Sequence, residues 1–106
     1  MKSFEEFWPF YLGEHKHALT RNLHFGGTSA ALCLAAYGAL SGHTGLIPFA
    51  LVCGYGPAWV GHFFIEKNRP ATFKHPLWSF RGDFRMLGMA LTGKLTGELQ
   101  RLGIGR

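Results

Sequence analysis

Asn22–Ile65, NLHFGGTSAALCLAAYGALSGHTGLIPFALVCGYGPAWVGHFFI, runs for forty-four residues without an Asp, Glu, Lys or Arg. All seventeen formal charges of the 106-residue chain lie to either side of it. The stretch is broken once, at the polar, glycine-containing Ser41-Gly42-His43-Thr44-Gly45. His24 and His62 each lie nineteen residues from His43. If the break is a turn between antiparallel helices, His24 and His62 come level with each other at the far end of the hairpin.

Composition supports a membrane reading. The chain is 47% hydrophobic and 15% aromatic, yet mean hydropathy is only +0.06, because basic flanks offset the apolar centre. A soluble domain this small spreads its polar residues along each helix to make one wet face. This chain segregates them by position instead. Its length fits one domain. The expected fold class is all-α: a small integral membrane protein with an antiparallel transmembrane hairpin and short N- and C-terminal helices.

The net charge of +5 crowds the two ends of the apolar gap. Nucleic-acid binders string Lys and Arg along a helix face or ribbon, so lipid headgroups are the better partner and no nucleic acid is expected. Cys33 and Cys53 lie inside the apolar segments with no metal-type spacing and no secreted disulfide framework. Met1-Lys2 leads into an acidic, aromatic stretch, so a cleavable signal peptide is not expected.

Along the chain, Ser3 with Glu6 reads as a capping box. Phe4, Phe7, Trp8 and Tyr11 then share a helical stripe, and Pro9 should kink or shorten the element. Aromatics rather than Leu and Ile suit the bilayer interface, so a helix over 4–12 is expected to lie on the membrane. Thr20 can cap the next helix. The first membrane helix is expected over 23–40 and is rich in small residues that let a partner backbone approach; homo-oligomers are left open. The second is expected over 46–65, with a kink at Gly54-Tyr55-Gly56-Pro57. Each is near the ~20 residues needed to cross ~30 Å of hydrocarbon. A histidine-containing loop over 66–82 follows. The stretch 83–102 is expected to form an amphipathic or re-entrant helix, with a third span as the alternative. Lys16 and Arg21 precede the hairpin, Lys67, Arg69 and Lys74 follow it, and the turn is uncharged. The positive-inside rule then puts both ends of the hairpin on the cytoplasmic side, in a bacterial inner membrane or an endoplasmic reticulum.

That topology gathers His15, His24, His62 and His75 at one membrane face and leaves His43 alone at the other. Glu66 falls one turn beyond His62. Imidazoles with a carboxylate suit a first-row metal such as iron or zinc. Each member also has a plain reading: an interfacial hydrogen-bonding histidine, a helix-surface pair, a loop residue held extended before proline. No nucleophile elbow, phosphate loop or dinucleotide fingerprint is present.

Three segments carry a resemblance. Phe7-Trp8-Pro9-Phe10-Tyr11-Leu12-Gly13-Glu14-His15 with Asn22-Leu23-His24-Phe25-Gly26-Gly27-Thr28 is similar to the opening of one family. Gly54–Pro76, with GHFFIEKNRPATFKHP over Gly61–Pro76, is similar to its long central signature, and Ser79-Phe80-Arg81-Gly82-Asp83-Phe84-Arg85-Met86 to its closing motif. The family is named for metabolism of phytosphingosine to odd-numbered fatty acids, and the resemblance covers nearly the whole chain. It implies a small multi-helix membrane protein acting as an Fe(II)-dependent dioxygenase on 2-hydroxy long-chain fatty acids. With O2, the product is the acid one carbon shorter and carbon dioxide.

The resemblance carries the metal-ligand role onto His15, His24, His62 and His75, and none onto His17. On that reading Arg69, Lys74 or Arg81 would neutralise the substrate carboxylate, and Glu66 or Asp83 would orient a ligating imidazole. The acyl tail would lie along the two helices. Three rivals stand beside it: a haem-binding electron carrier with His24 and His62 as axial ligands, a non-catalytic membrane protein stabilised by a metal, and a miniature transporter, for which polar residues within the helices are few.

Overall fold

The computed structural model describes residues 1–104, and every regular element among them is helical. Helix α1 spans Phe4–Gly13. Ser3 Oγ accepts the Glu6 amide at 3.2 Å, while Glu6 Oε1 accepts the Lys2 amide at 3.0 Å. Only the Ser3 half of the expected capping box forms, because Glu6 takes the amide one residue before the N-cap. The helix runs on through Pro9 to Gly13 rather than stopping at it.

The aromatic stripe of α1 faces inward, not into an interface. Phe4, Phe7, Trp8 and Tyr11 are at most 4% exposed and pack with Leu12, Met86, Leu95 and Leu99. Full burial of such side chains contributes on the order of 1.5–3 kcal/mol each, which is where this layer finds its cohesion. Arg81 stacks over the Phe4 ring at 4.1 Å and Arg85 over Trp8 at 4.5 Å, closing the aromatic core from outside.

Helix α2 spans Ala18–Ser41 and starts well before the apolar pattern does. Thr20 does not cap it; its hydroxyl is buried and has no hydrogen-bond partner among the described residues. The N-cap is His17, and its amide is taken at 2.8 Å by Glu66 Oε2, from the end of the partner helix. Arg21 is therefore a helical residue, and it is buried with its guanidinium donating to the His15 carbonyl at 2.7 Å.

Helix α2 ends at Gly42, whose φ of 80° is the left-handed cap that glycine adopts without strain. The chain returns as α3, Leu46–Val60. His43 stays at this turn, bonded to Ser41 Oγ at 2.7 Å and stacked on Tyr37. The helix runs through Gly54–Pro57, where a kink was expected, and on to Val60. The departure from α geometry comes later, as a π turn over Gly61–Glu66.

At ~1.5 Å per residue, α2 is ~36 Å long and the Leu46–Glu66 rod ~32 Å, so both exceed ~30 Å of hydrocarbon. These two helices are long and apolar enough to cross a membrane, and only 17% and 22% of their most apolar windows are buried. The core helix of a soluble protein would be mostly covered. Here Leu40, Val52 and Phe64 stand 90%, 66% and 71% exposed. The 45 Å long axis of the molecule matches a bilayer with its headgroups.

A single turn of 3₁₀ helix, Ala71–Phe73, leads into α4, Pro76–Leu91, which opens with proline at its first position. This helix starts inside the stretch expected to be loop. Gly93 then breaks the chain in the left-handed region before α5, Leu95–Arg101. The stretch 83–102 is thus parts of two helices, neither long and apolar enough to span. They join α1 in a cap layer at the charged end of the hairpin, where Trp8 Nε1 donates to Glu98 at 2.7 Å.

The hairpin closes on small residues. A Cβ on Gly27 would lie 2.8 Å from the Cys53 carbonyl and 3.1 Å from that of Gly54, whereas one on Gly26 would meet nothing within 4 Å. Gly27→Leu should therefore force the helices apart and destabilise the hairpin by about 2 kcal/mol or more. Gly26→Leu should stay within about 0.5 kcal/mol. Unfolding of both variants in detergent by circular dichroism measures the difference.

Candidate functional site

Beyond Pro57, α3 gives way to a π turn over Gly61–Glu66, which takes up one extra residue. Such turns recur at functional sites because they re-aim side chains. Here the turn carries His62 inward, 2% exposed. Lys67 then adopts φ 62°, a left-handed conformation uncommon for a non-glycine residue. The chain reverses so that the Asn68 amide bonds back to the His62 carbonyl at 2.9 Å. This brings the Asn68 side chain against the His62 ring.

The Asn68 amide group is oriented by its neighbours. Its Nδ2 donates to the Glu14 carbonyl at 3.3 Å, which turns Oδ1 toward His62 Nδ1 at 2.8 Å. His62 Nδ1 therefore carries a hydrogen, and Nε2 carries a lone pair. His15 is set the same way: its Nδ1 lies 2.8 Å from the Tyr11 carbonyl, which can only accept. The two Nε2 atoms face each other at 3.0 Å.

His24, one turn before Gly27 on α2, completes a group of three rings, its centroid 5.1 Å from that of His15. Its Nε2 lies 3.1 Å from Asp83 Oδ1, and the Tyr11 hydroxyl donates to the same oxygen. Tyr11 reaches Asp83 because the next residue back on α4 is glycine; a Cβ on Gly82 would press into the Tyr11 ring at 3.2 Å. Burial, reinforced by Asp83, pushes the Tyr11 phenol well above its usual range, so it remains a donor. Burial, then the neighbouring His24 and His62, holds His15 well below the usual imidazole range, so its lone pair is available.

A cleft of about 10 Å³, room for roughly one water, lies among His15, His24, His62, Asp83, Trp59 and Ser79. Trp59 borders it, and its Nε1 is buried with no hydrogen-bond partner among the described residues. Ser79 and Thr72, whose hydroxyls bond each other at 3.0 Å, also line it.

Of the four histidines expected to converge, His15, His24 and His62 do so. His75 does not join them: its ring stacks on Trp78 at 5.0 Å and meets the edge of Phe7 at 5.5 Å. The aromatic stripe of α1, which sequence periodicity cannot distinguish from a lipid-facing one, occupies the space His75 would need. Asp83 contacts a ring of the group, as expected for an orienting carboxylate. Glu66 does not; the π turn moves it off the His62 face, and it caps α2 instead. Arg81 is engaged on Phe4, while Arg69 and Lys74 stand exposed on the segment after the hairpin. Tyr11, Asn68 and Trp59 are site residues that sequence reasoning missed. Among the described residues, no group of three or more His, Cys, Asp or Glu side chains is set to hold a metal ion.

No curated protein and no solved structure matches the chain. A family model described as 2-hydroxy-palmitic acid dioxygenase Mpo1-like matches residues 1–95. That span takes in α1, the hairpin, the π turn and α4, and with them every member of the histidine group and its partners. The chain therefore belongs to the Mpo1-like family, whose name is that of a 2-hydroxy fatty acid dioxygenase.

Proposed function

We propose that the protein is an iron(II)-dependent dioxygenase of a membrane. It would convert a 2-hydroxy fatty acid and O2 into the fatty acid one carbon shorter, carbon dioxide and water. The family supports the substrate class. The observation that carries the rest is the facing pair of Nε2 atoms. Two nitrogen lone pairs 3.0 Å apart repel each other, and both rings have committed their Nδ1 hydrogens elsewhere. A cation between them resolves the conflict, and imidazoles whose second nitrogen is pinned by a carbonyl or amide oxygen are the usual form of metal-bound histidine.

His15 and His62 would hold the ion through their facing Nε2 atoms, with His24 and its partner Asp83 beside them, nitrogen donors of the kind that suit iron(II). Bound there, iron(II) would activate oxygen and offer open positions to it and to a 2-hydroxy acid, whose own oxidation supplies the four electrons that O2 takes up. His75 has no part in this set. Tyr11 and Asp83 hold the His24 ring, and Arg21 fixes the backbone of His15. Trp59 Nε1–H is a donor for a substrate oxygen entering the cleft. Arg69 and Lys74 would attract the carboxylate at the headgroup level, and the positive-inside rule puts that level on the cytoplasmic side. The haem reading, with His24 and His62 as axial ligands, suffers from the same geometry, because the His15 ring lies against both, 5.1 Å from His24 and 4.4 Å from His62, where a porphyrin plane would have to pass.

The deciding experiment is anaerobic loading of the purified protein with iron(II), then oxygen uptake with a 2-hydroxy long-chain acid and mass spectrometry of the product. Uptake without the one-carbon-shorter acid would sink the reaction proposed.

His62→Ala should lose iron on elemental analysis while remaining in the membrane fraction; full occupancy would contradict the ligand assignment. His43→Ala, at the opposite turn, should be nearly silent in activity. Asn68→Ala frees the His62 tautomer and should weaken iron affinity roughly 10–100-fold, read by competition with a chelator.

The depressed His15 titration predicts a pH dependence of stability in the iron-free protein. Below about pH 6.5 the unfolded chain binds a proton that the folded chain refuses. This contribution is fully present above that pH and declines as pH falls through it. The unfolding midpoint in detergent should drop between about pH 7 and about pH 5, and less so in His15→Gln.

A further inference from the structure

A second cavity, of about 180 Å³, adjoins the polar cleft. His24, Tyr55 and Asp83 line both, so the two spaces meet at those side chains. From there the larger one runs between α2 and α3 toward the turn, over a floor of Thr28, Ala31, Ala35, Ala50 and Gly54. Ala35 and Ile47 line it at the end nearest the turn, where Ile47 is 38% exposed. We propose that this groove receives the acyl chain of the substrate, and that Ala35 and Ile47 set the chain length the enzyme accepts. The proposal rests on the dioxygenase reading for the head group only.

Three observations point to an acyl chain. The lining beyond Asp83 is almost wholly apolar. From His24 to Ala35 is eleven residues of α2, or ~16 Å of rise, about half of a ~30 Å hydrocarbon core. A fatty acid with its carboxyl group at the headgroup level occupies that same single-leaflet depth. Finally, the groove is roofed by Phe80 and Phe84 of α4, which are also 51% and 38% exposed. With Leu77 and Leu91, 82% and 78% exposed, they form an outward apolar stripe on α4. A lipid can therefore enter sideways from the bilayer without crossing water.

Chain-length choice in such a groove cannot come from the hydrophobic effect. A methylene leaving lipid for a groove of Ala, Leu and Phe gains little, because the lipid it leaves is equally apolar. Selection must come instead from steric refusal by the side chains that line the groove farthest from His24. That makes those residues decisive and the flanks nearly neutral.

The test measures kcat/KM by oxygen uptake for iron-loaded protein in detergent, over 2-hydroxy acids of increasing length. Ala35→Phe should lower the value for long acids roughly tenfold and leave short ones unchanged. Ile47→Ala, which removes bulk and keeps the fold, should shift the profile toward longer acids. In parallel, a 2-hydroxy acid with a terminal diazirine is photolysed with iron-free protein, and labelling should fall around Ala35 and Ile47. An unchanged length profile in Ile47→Ala, or label spread over the outer faces at Leu40, Phe49 and Val52, overturns the groove. Label at Ala35 without turnover of any acid upholds the groove and removes the dioxygenase reading. Turnover with label confined to outer faces does the reverse.

Discussion

Pro57 has no amide hydrogen, so the Cys53 carbonyl one turn before it is left without a helical partner. In a hydrocarbon layer no water can satisfy such a group. Gly27 packs against it so closely that a Cβ there would lie 2.8 Å from the oxygen. The absence of a side chain is what admits the contact, and a glycine Cα–H facing a carbonyl is a weak donor. Helices in lipid are not driven together by apolar burial, since the lipid is equally apolar, so close packing of this kind sets their register. His24 lies one turn to one side of Gly27, and His62 lies in the turn beyond Pro57. The same contact that covers a carbonyl thereby brings two imidazoles level.

The end of the hairpin converts register into aim. A continuous α-helix would carry Glu66 over His62 and leave Asn68 pointing elsewhere. The π turn rotates the last residues and the left-handed Lys67 reverses the chain, so Asn68 clasps the His62 ring and Glu66 caps α2. From the other side, α1 presents the Tyr11 carbonyl to His15, and α4 presents Asp83 to His24. The polar group thus draws on four separate stretches of chain, and each imidazole is held by an oxygen from an element other than its nearest imidazole neighbour.

Counting along the sequence was enough to find the hairpin, because charge excluded from forty-four residues has few explanations besides a bilayer. It was also enough to place His15, His24 and His62 together, since one turn position and two helix lengths determine their level. The remainder turned on what covers a face, which periodicity does not encode. Phe4, Phe7, Trp8 and Tyr11 make the same stripe whether they meet lipid or α4. Once that stripe is the core of a cap layer, His75 is held off by Phe7 and Trp78, and Tyr11 becomes a partner of Asp83. Arg21 reads as a loop cation because arginine is rarely buried; its partner is a backbone carbonyl, which no sequence marks. The π turn is equally silent: a one-residue insertion in hydrogen-bond register leaves no change in composition, yet it decides whether Glu66 or Asn68 meets the histidine.

A soluble chain of this size would have to enclose its site within its own apolar core, and small domains have little core to give. This one divides the task. Its hairpin leaves the outer faces of Leu40, Val52 and Phe64 to whatever surrounds them, and its internal cohesion is concentrated in the aromatic layer at one end. The polar group lies where those two regions meet, below aromatic rings and above a groove floored with alanine and glycine. His24, Tyr55 and Asp83 belong to both spaces. An amphiphile with a polar head and a long apolar tail would match that boundary by its own chemistry, its head among donors and imidazoles and its tail in the apolar groove. On the proposed reading, a reactive group at this junction would let the protein bind a sparingly soluble acid without lifting it into water.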